Sequence, residues 1–178
     1  LSRKDPSYVG KAKTVQKAEA ARLSGNSPLG ALAELKDVYD AVRSVKEIDP
    51  MATGIGSVIY AVKPGDGSAR EQAASCQKVL GGWANIAQEY ATKRYRSNLI
   101  NWGMLPFLFE GTDLPFQNGD YLFIPGIRRA VQEKAASVTA YVVKNGLTLP
   151  FTLALSEMTD DERRIILAGC LINFYRGE

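Results

Sequence analysis

The residues best suited to chemistry stand together in Gly65-Asp66-Gly67-Ser68-Ala69-Arg70. Glycine lets backbone N–H groups approach a ligand without a Cβ in the way. Arg70 offers a planar fork of donors that matches a carboxylate. A helix starting here adds free N–H groups and a partial positive charge. Ser68 then places a hydroxyl in a field that favours its ionised form. The chemistry is capture of an anion, foremost a carboxylate, beside an oxygen base. The same residues also suit an ordinary capped turn, in which Ser68 only caps a helix and Arg70 only pairs with a nearby acid.

Composition removes many alternatives. The 178 residues include no histidine. Ser-His-Asp and Cys-His nucleophiles, imidazole bases and histidine-ligated metals are therefore excluded. Cys76 and Cys170 are far apart and have no CxxC neighbour, too few to hold an iron–sulfur cluster or an all-cysteine zinc. They are expected to be reduced thiols, at least one of them buried. A net charge of +3 with 46% hydrophobic residues describes a globular chain with no electrostatic need for nucleic acid or an acidic membrane. No apolar run reaches the ~18 residues of a membrane span, and no signal peptide precedes the chain. A cytoplasmic location is expected, and the leading Leu1 suggests a piece of something longer.

Three weaker motifs have plainer roles. Ser75-Cys76-Gln77-Lys78 has S-x-x-K spacing but falls inside a predicted helix. Gly54-Ile55-Gly56 precedes its strand and lacks the third glycine of a dinucleotide fingerprint. Lys93-Arg94 and Arg96, beside Tyr90 and Tyr95, could form a nucleic-acid stripe; a solvated helix face, or one turned toward the rest of a larger protein, is the expected role. Trp83 and Trp102 are expected as core or interface aromatics.

The glycine bend needs a strand before it and a helix after it, and the pattern provides both. Ser57–Val62 is β-branched and aromatic, and Lys63-Pro64-Gly65 ends it. Ser68 and Glu71 have capping-box spacing, so a helix is predicted from Ser68 to about Leu80. Strands follow at Trp83–Ala87, Met104–Phe109 and Tyr121–Ile124, with a helix from Thr92 to Trp102 and a short turn at 126–133. Ser137–Val143 and Leu149–Leu155 pair across Asn145-Gly146. Thr159 and Glu162 form a second capping box, opening a helix predicted to reach Tyr175. Before all this, residues 9–23 and 28–47 predict two helices, the second capped by Ser27 and ended by Asp49-Pro50.

Gly67-Ser68-Ala69-Arg70-Glu71-Gln72-Ala73-Ala74, closing on Leu80-Gly81-Gly82, resembles the Gly-Ser-Ser-Arg-Glu-His-Ala-Ala…Leu-Gly-Gly segment of the aconitase superfamily. Tyr90, Asn98-Leu99 and Gly103-Met104-Leu105-Pro106 are similar to a second segment of that family, at the right separation. Gly169 and Leu171-Ile172-Asn173 resemble its C-terminus. The resemblance covers residues 55–178. It implies an α/β fold, the swivelling β/β/α domain of aconitase C-termini and isopropylmalate isomerase small subunits. Here that domain, 53–178, would carry an N-terminal helical extension, 1–52.

The resemblance also implies roles. Ser68 takes the family's base position, removing a substrate proton, and Arg70 the position that binds a substrate carboxylate. Gly67 and Ala69 complete the substrate-binding bend. Ala69 replaces a serine, keeping its N–H but losing its hydroxyl, and Gln72 replaces a histidine. A second arginine lies upstream in the family, and Arg22 is the candidate here. The reaction implied is hydro-lyase chemistry on a hydroxy-carboxylic acid, using a [4Fe-4S] cluster whose ligands lie outside this chain. The chain is then a mobile C-terminal domain that closes on cluster-bearing domains of its parent, and inert alone. Two other readings are a separate small subunit of a two-chain isomerase, and a degenerate binding domain without catalysis.

Overall fold

Residues 5–177 are described by a computed structural model. Among them the chain forms one mixed six-stranded sheet with helices around it. The predicted α/β class is observed.

The N-terminal segment begins with α1, Tyr8–Leu23. The predicted second helix is broken in two. A single 3₁₀ turn, Pro28–Gly30, is capped by Ser27, whose Oγ accepts from Leu29 N at 3.3 Å. Further tight i→i−3 bonds lead to α2, Leu35–Val42. Gly30 opposes continuous helix on entropic grounds. The break also lets Leu32 and Leu35 turn inward onto Ala18 and Tyr39, where all four are buried. This small helical core reaches the sheet through Ile55 and Tyr121, and Val42 is buried against Val143.

The sheet is built from β1 (Ser57–Ala61), β2 (Gly82–Ala87), β3 (Leu105–Leu108), β4 (Tyr121–Phe123), β5 (Ser137–Lys144) and β6 (Leu147–Leu155). Its order is β1-β2-β3-β6-β5-β4. The first three strands are parallel and joined by helical crossovers, α3 (Arg70–Val79) and α4 (Lys93–Asn101). The other pairings are antiparallel. Asn145 (φ 51°) and Gly146 (φ 74°) make the predicted two-residue turn between β5 and β6. Ile86 lies between Tyr60 and Phe107 in the ladder and, with Leu153, Ala140 and Ile100, fills the main core.

Two short helices close the chain after α5 (Ile127–Gln132). Thr159 and Glu162 form the predicted reciprocal capping box on α6, Asp160–Ala168. That helix does not continue to Tyr175. Gly169, at φ +90°, ends it in the left-handed region, and α7 restarts at Leu171–Arg176. No helix among the described residues is long and apolar enough to cross a membrane.

Candidate functional site

Parallel strands deliver their following loops to one edge of a sheet, the edge where open α/β folds bind ligands. Here the loops after β1, β2 and β3 meet at that edge. Gln88 N donates to Val62 O at 3.1 Å, and Ala91 N to Pro64 O at 2.9 Å. Gln88 Nε2 reaches Gly111 O in the loop after β3, at 3.3 Å. Thr92 Oγ1 donates to Gly65 O at 3.0 Å while accepting from Tyr95 N at 3.2 Å. The helix cap of α4 therefore also fastens the bend that carries Ser68 and Arg70.

The glycines of that bend divide the work. Gly65 has φ +95°, and a Cβ there would overlap the Tyr95 ring. It makes the turn and allows the chain to lie on that ring. Gly67 has no positive φ, and an added Cβ would meet nothing within 4 Å. Nothing inside the described chain requires glycine at 67.

Ser68 does not cap the helix. Ala69 occupies the cap position of α3, at φ −86° and ψ 49°, without a side-chain cap bond. The predicted capping box is absent, because Glu71 turns sideways and accepts from Trp102 Nε1 at 2.6 Å. The helix cap falls one residue later than predicted, at Ala69 instead of Ser68. Its first-turn N–H groups are left without a side-chain acceptor, and Ser68 is exposed. Arg70 folds back so that Nε donates to Gly67 O at 3.0 Å, and among the described residues it makes no ion pair. An exposed Ser68 and a half-buried Arg70 thus flank the open helix start. Two surface cavities lie elsewhere, one of about 460 Å³ beside Arg128 and Phe174, one of about 620 Å³ beside Asp37 and Asn145.

Beneath the bend is a polar ring that the sequence reading passed over. Asn85 is 1% exposed in the middle of β2. Its Nδ2 donates to Gln77 Oε1 at 2.5 Å, Gln77 Nε2 donates to Tyr95 Oη at 2.9 Å, and Tyr95 Oη donates to Asn85 Oδ1 at 2.9 Å. Tyr90 Oη lies 3.0 Å from Phe107 O and 3.3 Å from Asn85 O. Burial raises both phenols, so both stay neutral donors. One signal was available: an asparagine inside the otherwise apolar strand Trp83–Ala87.

Other candidates find structural partners. Arg22 makes a two-bond pair with Glu19 (2.8 and 2.7 Å), and its Nη1 donates to Met51 O at 2.7 Å. It is engaged in holding residues 51–55, since Glu19 also accepts from Ile55 N. Arg96 is tied to Glu162 at 3.1 Å and to Ser156 Oγ at 3.1 Å, while Tyr95 is buried; no stripe of basic and aromatic groups faces outward there. Ser75 Oγ donates to Gln72 O rather than meeting Lys78. Gly54 and Gly56 lie across the Trp83 indole, close enough that a Cβ on either would overlap it. Trp83 is nonetheless 42% exposed on its other side. Cys76 is exposed and Cys170 half-buried, both free, against the expectation of a buried thiol. Ala74 is the inward residue of α3, and Cys76, two residues on, falls on the opposite face.

The molecule is an α/β domain with a three-stranded parallel edge, a glycine bend at its carboxyl end and an antiparallel extension of the same sheet. Residues 11–112 match the aconitase C-terminal domain family. The chain belongs to that family. It is 30% identical over 142 residues to aconitate hydratase A of Rickettsia bellii (strain RML369-C), and equally to that of Rickettsia felis (strain ATCC VR-1525 / URRWXCal2). Each alignment covers 77% of this chain but only 15% and 16% of the relatives, so the chain spans a small part of their length.

Proposed function

We infer that this chain is the mobile C-terminal domain of a larger aconitase-like hydro-lyase, and that it brings Ser68 and Arg70 to a hydroxy-carboxylic acid. Arg70 carries the assignment. Its guanidinium has no carboxylate partner within the described chain, and it stands beside an exposed serine and an uncapped helix start. An unpaired arginine in that setting suits a carboxylate brought from outside. Gly67 fits the same picture: with nothing inside the chain to demand glycine, close approach of a ligand or a neighbouring domain is the remaining use.

In this assignment Arg70 grips a substrate carboxylate, and the first-turn N–H groups of α3 add positive potential. Ser68 Oγ takes the proton from the carbon beside that carboxylate. Ala69 contributes only its N–H, so the grip is lighter by one hydroxyl than the family pattern. The division at residue 52/53 into helical extension and swivel domain belongs to the same proposal. The separate helical core around Ala18, Leu32, Leu35 and Tyr39 supports it. The family match reaches back to residue 11, so that boundary rests on packing and not on the match.

The [4Fe-4S] cluster of such an enzyme does not fit this chain. Two free cysteines on separate elements cannot ligate it, and the described residues hold no group of three His, Cys, Asp or Glu suited to a metal. Its ligands belong to other domains of the parent, which are also the proposed partners.

The test is turnover of a panel of hydroxy-carboxylic acids by the full-length, cluster-loaded parent. Ser68→Ala is expected to lower kcat by about 10²–10⁴-fold with little change in KM. Arg70→Lys is expected to raise KM as well, because a lysine cannot reproduce the fork. A Ser68→Ala enzyme with wild-type turnover would refute the base assignment.

A further inference from the structure

We propose that Tyr95 is a positioning residue, a strut that sets the height and angle of the Ser68–Arg70 bend through the closed hydrogen-bond ring it forms with Gln77 and Asn85. The proposal deepens the proposed function and rests on it for its catalytic consequence only.

Tyr95 touches the catalytic segment at both ends. Its Cβ and ring lie directly under Gly65, where the bend leaves the sheet. Its backbone N–H is held by Thr92 Oγ1, and the same hydroxyl donates to Gly65 O. Its Oη accepts from Gln77, on the helix that starts at Arg70. The third member, Asn85, lies in the central parallel strand and is immobile by burial. One side chain therefore links β2, α3, α4 and the base of the bend.

The ring is fully matched. Each oxygen and nitrogen that faces a partner has a donor or acceptor of the right kind, and the second Nδ2 proton of Asn85 reaches Ala84 O at 3.2 Å. Such a cycle is cooperative, so removing one member weakens the other two bonds. The bend itself has few fastenings of its own: Arg70 Nε to Gly67 O, and no cap on α3. Its base is set from below, by the Tyr95 side chain under Gly65 and the Thr92 hydroxyl on Gly65 O, and the hydrogen-bond ring fixes Tyr95 in turn. Catalysis is sensitive to displacements of about 1 Å at reacting groups, which can cost on the order of 10²-fold.

Two variants in the full-length, cluster-loaded parent separate positioning from bulk stability. Tyr95→Phe removes one hydroxyl and leaves two amide groups, buried Asn85 and half-buried Gln77, short of partners. The triple variant Gln77→Met, Asn85→Val, Tyr95→Phe removes every polar member together and should recover most of the lost Tm, since an all-apolar replacement leaves nothing unpaired. Amide exchange over residues 73–77, the first hydrogen-bonded N–H groups of α3, is expected to accelerate at least about tenfold in both, with the β5–β6 hairpin unchanged. The kcat is expected to fall about ten- to a hundredfold in both, and to stay low in the triple variant after Tm has recovered. Unchanged exchange at 73–77 in Tyr95→Phe overturns the proposal. So does a triple variant that regains wild-type exchange and kcat along with Tm, which marks a role in stability alone. Exchange is read without any turnover, so a parent whose Ser68→Ala variant is fully active would defeat the proposed function while leaving the strut decided by exchange.

Discussion

Gly65 and Gly67, two residues apart, have opposite reasons for lacking a side chain. Gly65 is fixed by a left-handed φ and by the Tyr95 ring, so Gly65→Ala should cost about 1–3 kcal/mol of stability through backbone strain, more if the ring is displaced. Gly67→Ala should change stability by less than about 0.5 kcal/mol, because its Cβ enters open space. In the parent enzyme the same Gly67→Ala should weaken carboxylate binding. Chemical denaturation of the two variants, beside KM for Gly67→Ala, checks both halves. A Gly67→Ala variant as unstable as Gly65→Ala would mean that the bend is held by its own backbone. At this scale the sequence singled out these six residues, with both glycines turning the chain and Ser68 capping the helix; the structure gives the turn to Gly65 and the cap position to Ala69. Neither assignment could be corrected locally, because the ring that occupies one glycine's space lies thirty positions further along the chain.

Among the elements, α3 shows how a helix face is decided by its neighbours. Ala74 and Gln77 point inward, and Lys78 beside them is half-buried. Burial holds the Lys78 ammonium below its ordinary pKa. The folded value lies under the unfolded one, so the charged form is penalised by folding at neutral pH. The penalty is complete below the folded pKa and fades as pH rises from there toward the ordinary lysine value. Lys78→Met is therefore expected to raise Tm at pH 7 by about 2 °C, and the gain should shrink as pH rises toward ~10. Thermal melts of the two proteins across that range test it; a gain that grows with pH contradicts the burial account. The elements themselves were largely legible. All six strands, α1, α4, the Asn145-Gly146 hairpin and the Thr159 capping box follow from short-range pattern. The misses are the two long predicted helices. Leu29 through Val45 has helical spacing, and Thr159 through Tyr175 reads as one helix. In each case tertiary packing bends the chain at a glycine: at Gly30 the chain turns Leu32 and Leu35 onto Ala18 and Tyr39, and at Gly169 it keeps Ile165, Leu171 and Phe174 on the main core.

The whole molecule explains why activity should not be sought in this chain alone. Its candidate residues lie on one surface bend, its cysteines cannot hold a cluster, and its curated relatives are several times longer. The isolated 178-residue chain is expected to show no hydratase turnover, with or without added iron and sulfide, whereas the parent should turn over. Turnover by the isolated chain that is lost in Ser68→Ala would show that the site is complete here and would remove the need for partner domains.

Composition alone determined a domain without imidazole chemistry, and local pattern determined most of its strands and helices, because hydrophobic period and turn chemistry act over a few residues. The ordered pair of motifs marked Ser68 and Arg70 and the family they resemble. Only the tertiary structure decided that Arg70 has no ion-pair partner among the described residues while Arg22 and Arg96 are engaged, that α3 starts uncapped, and that Tyr95 reaches Asn85 and Gln77 beneath the bend. Each of these depends on which distant side chain arrives within hydrogen-bonding range, and that is fixed by the order in which the strands pack and not by any stretch of sequence read by itself.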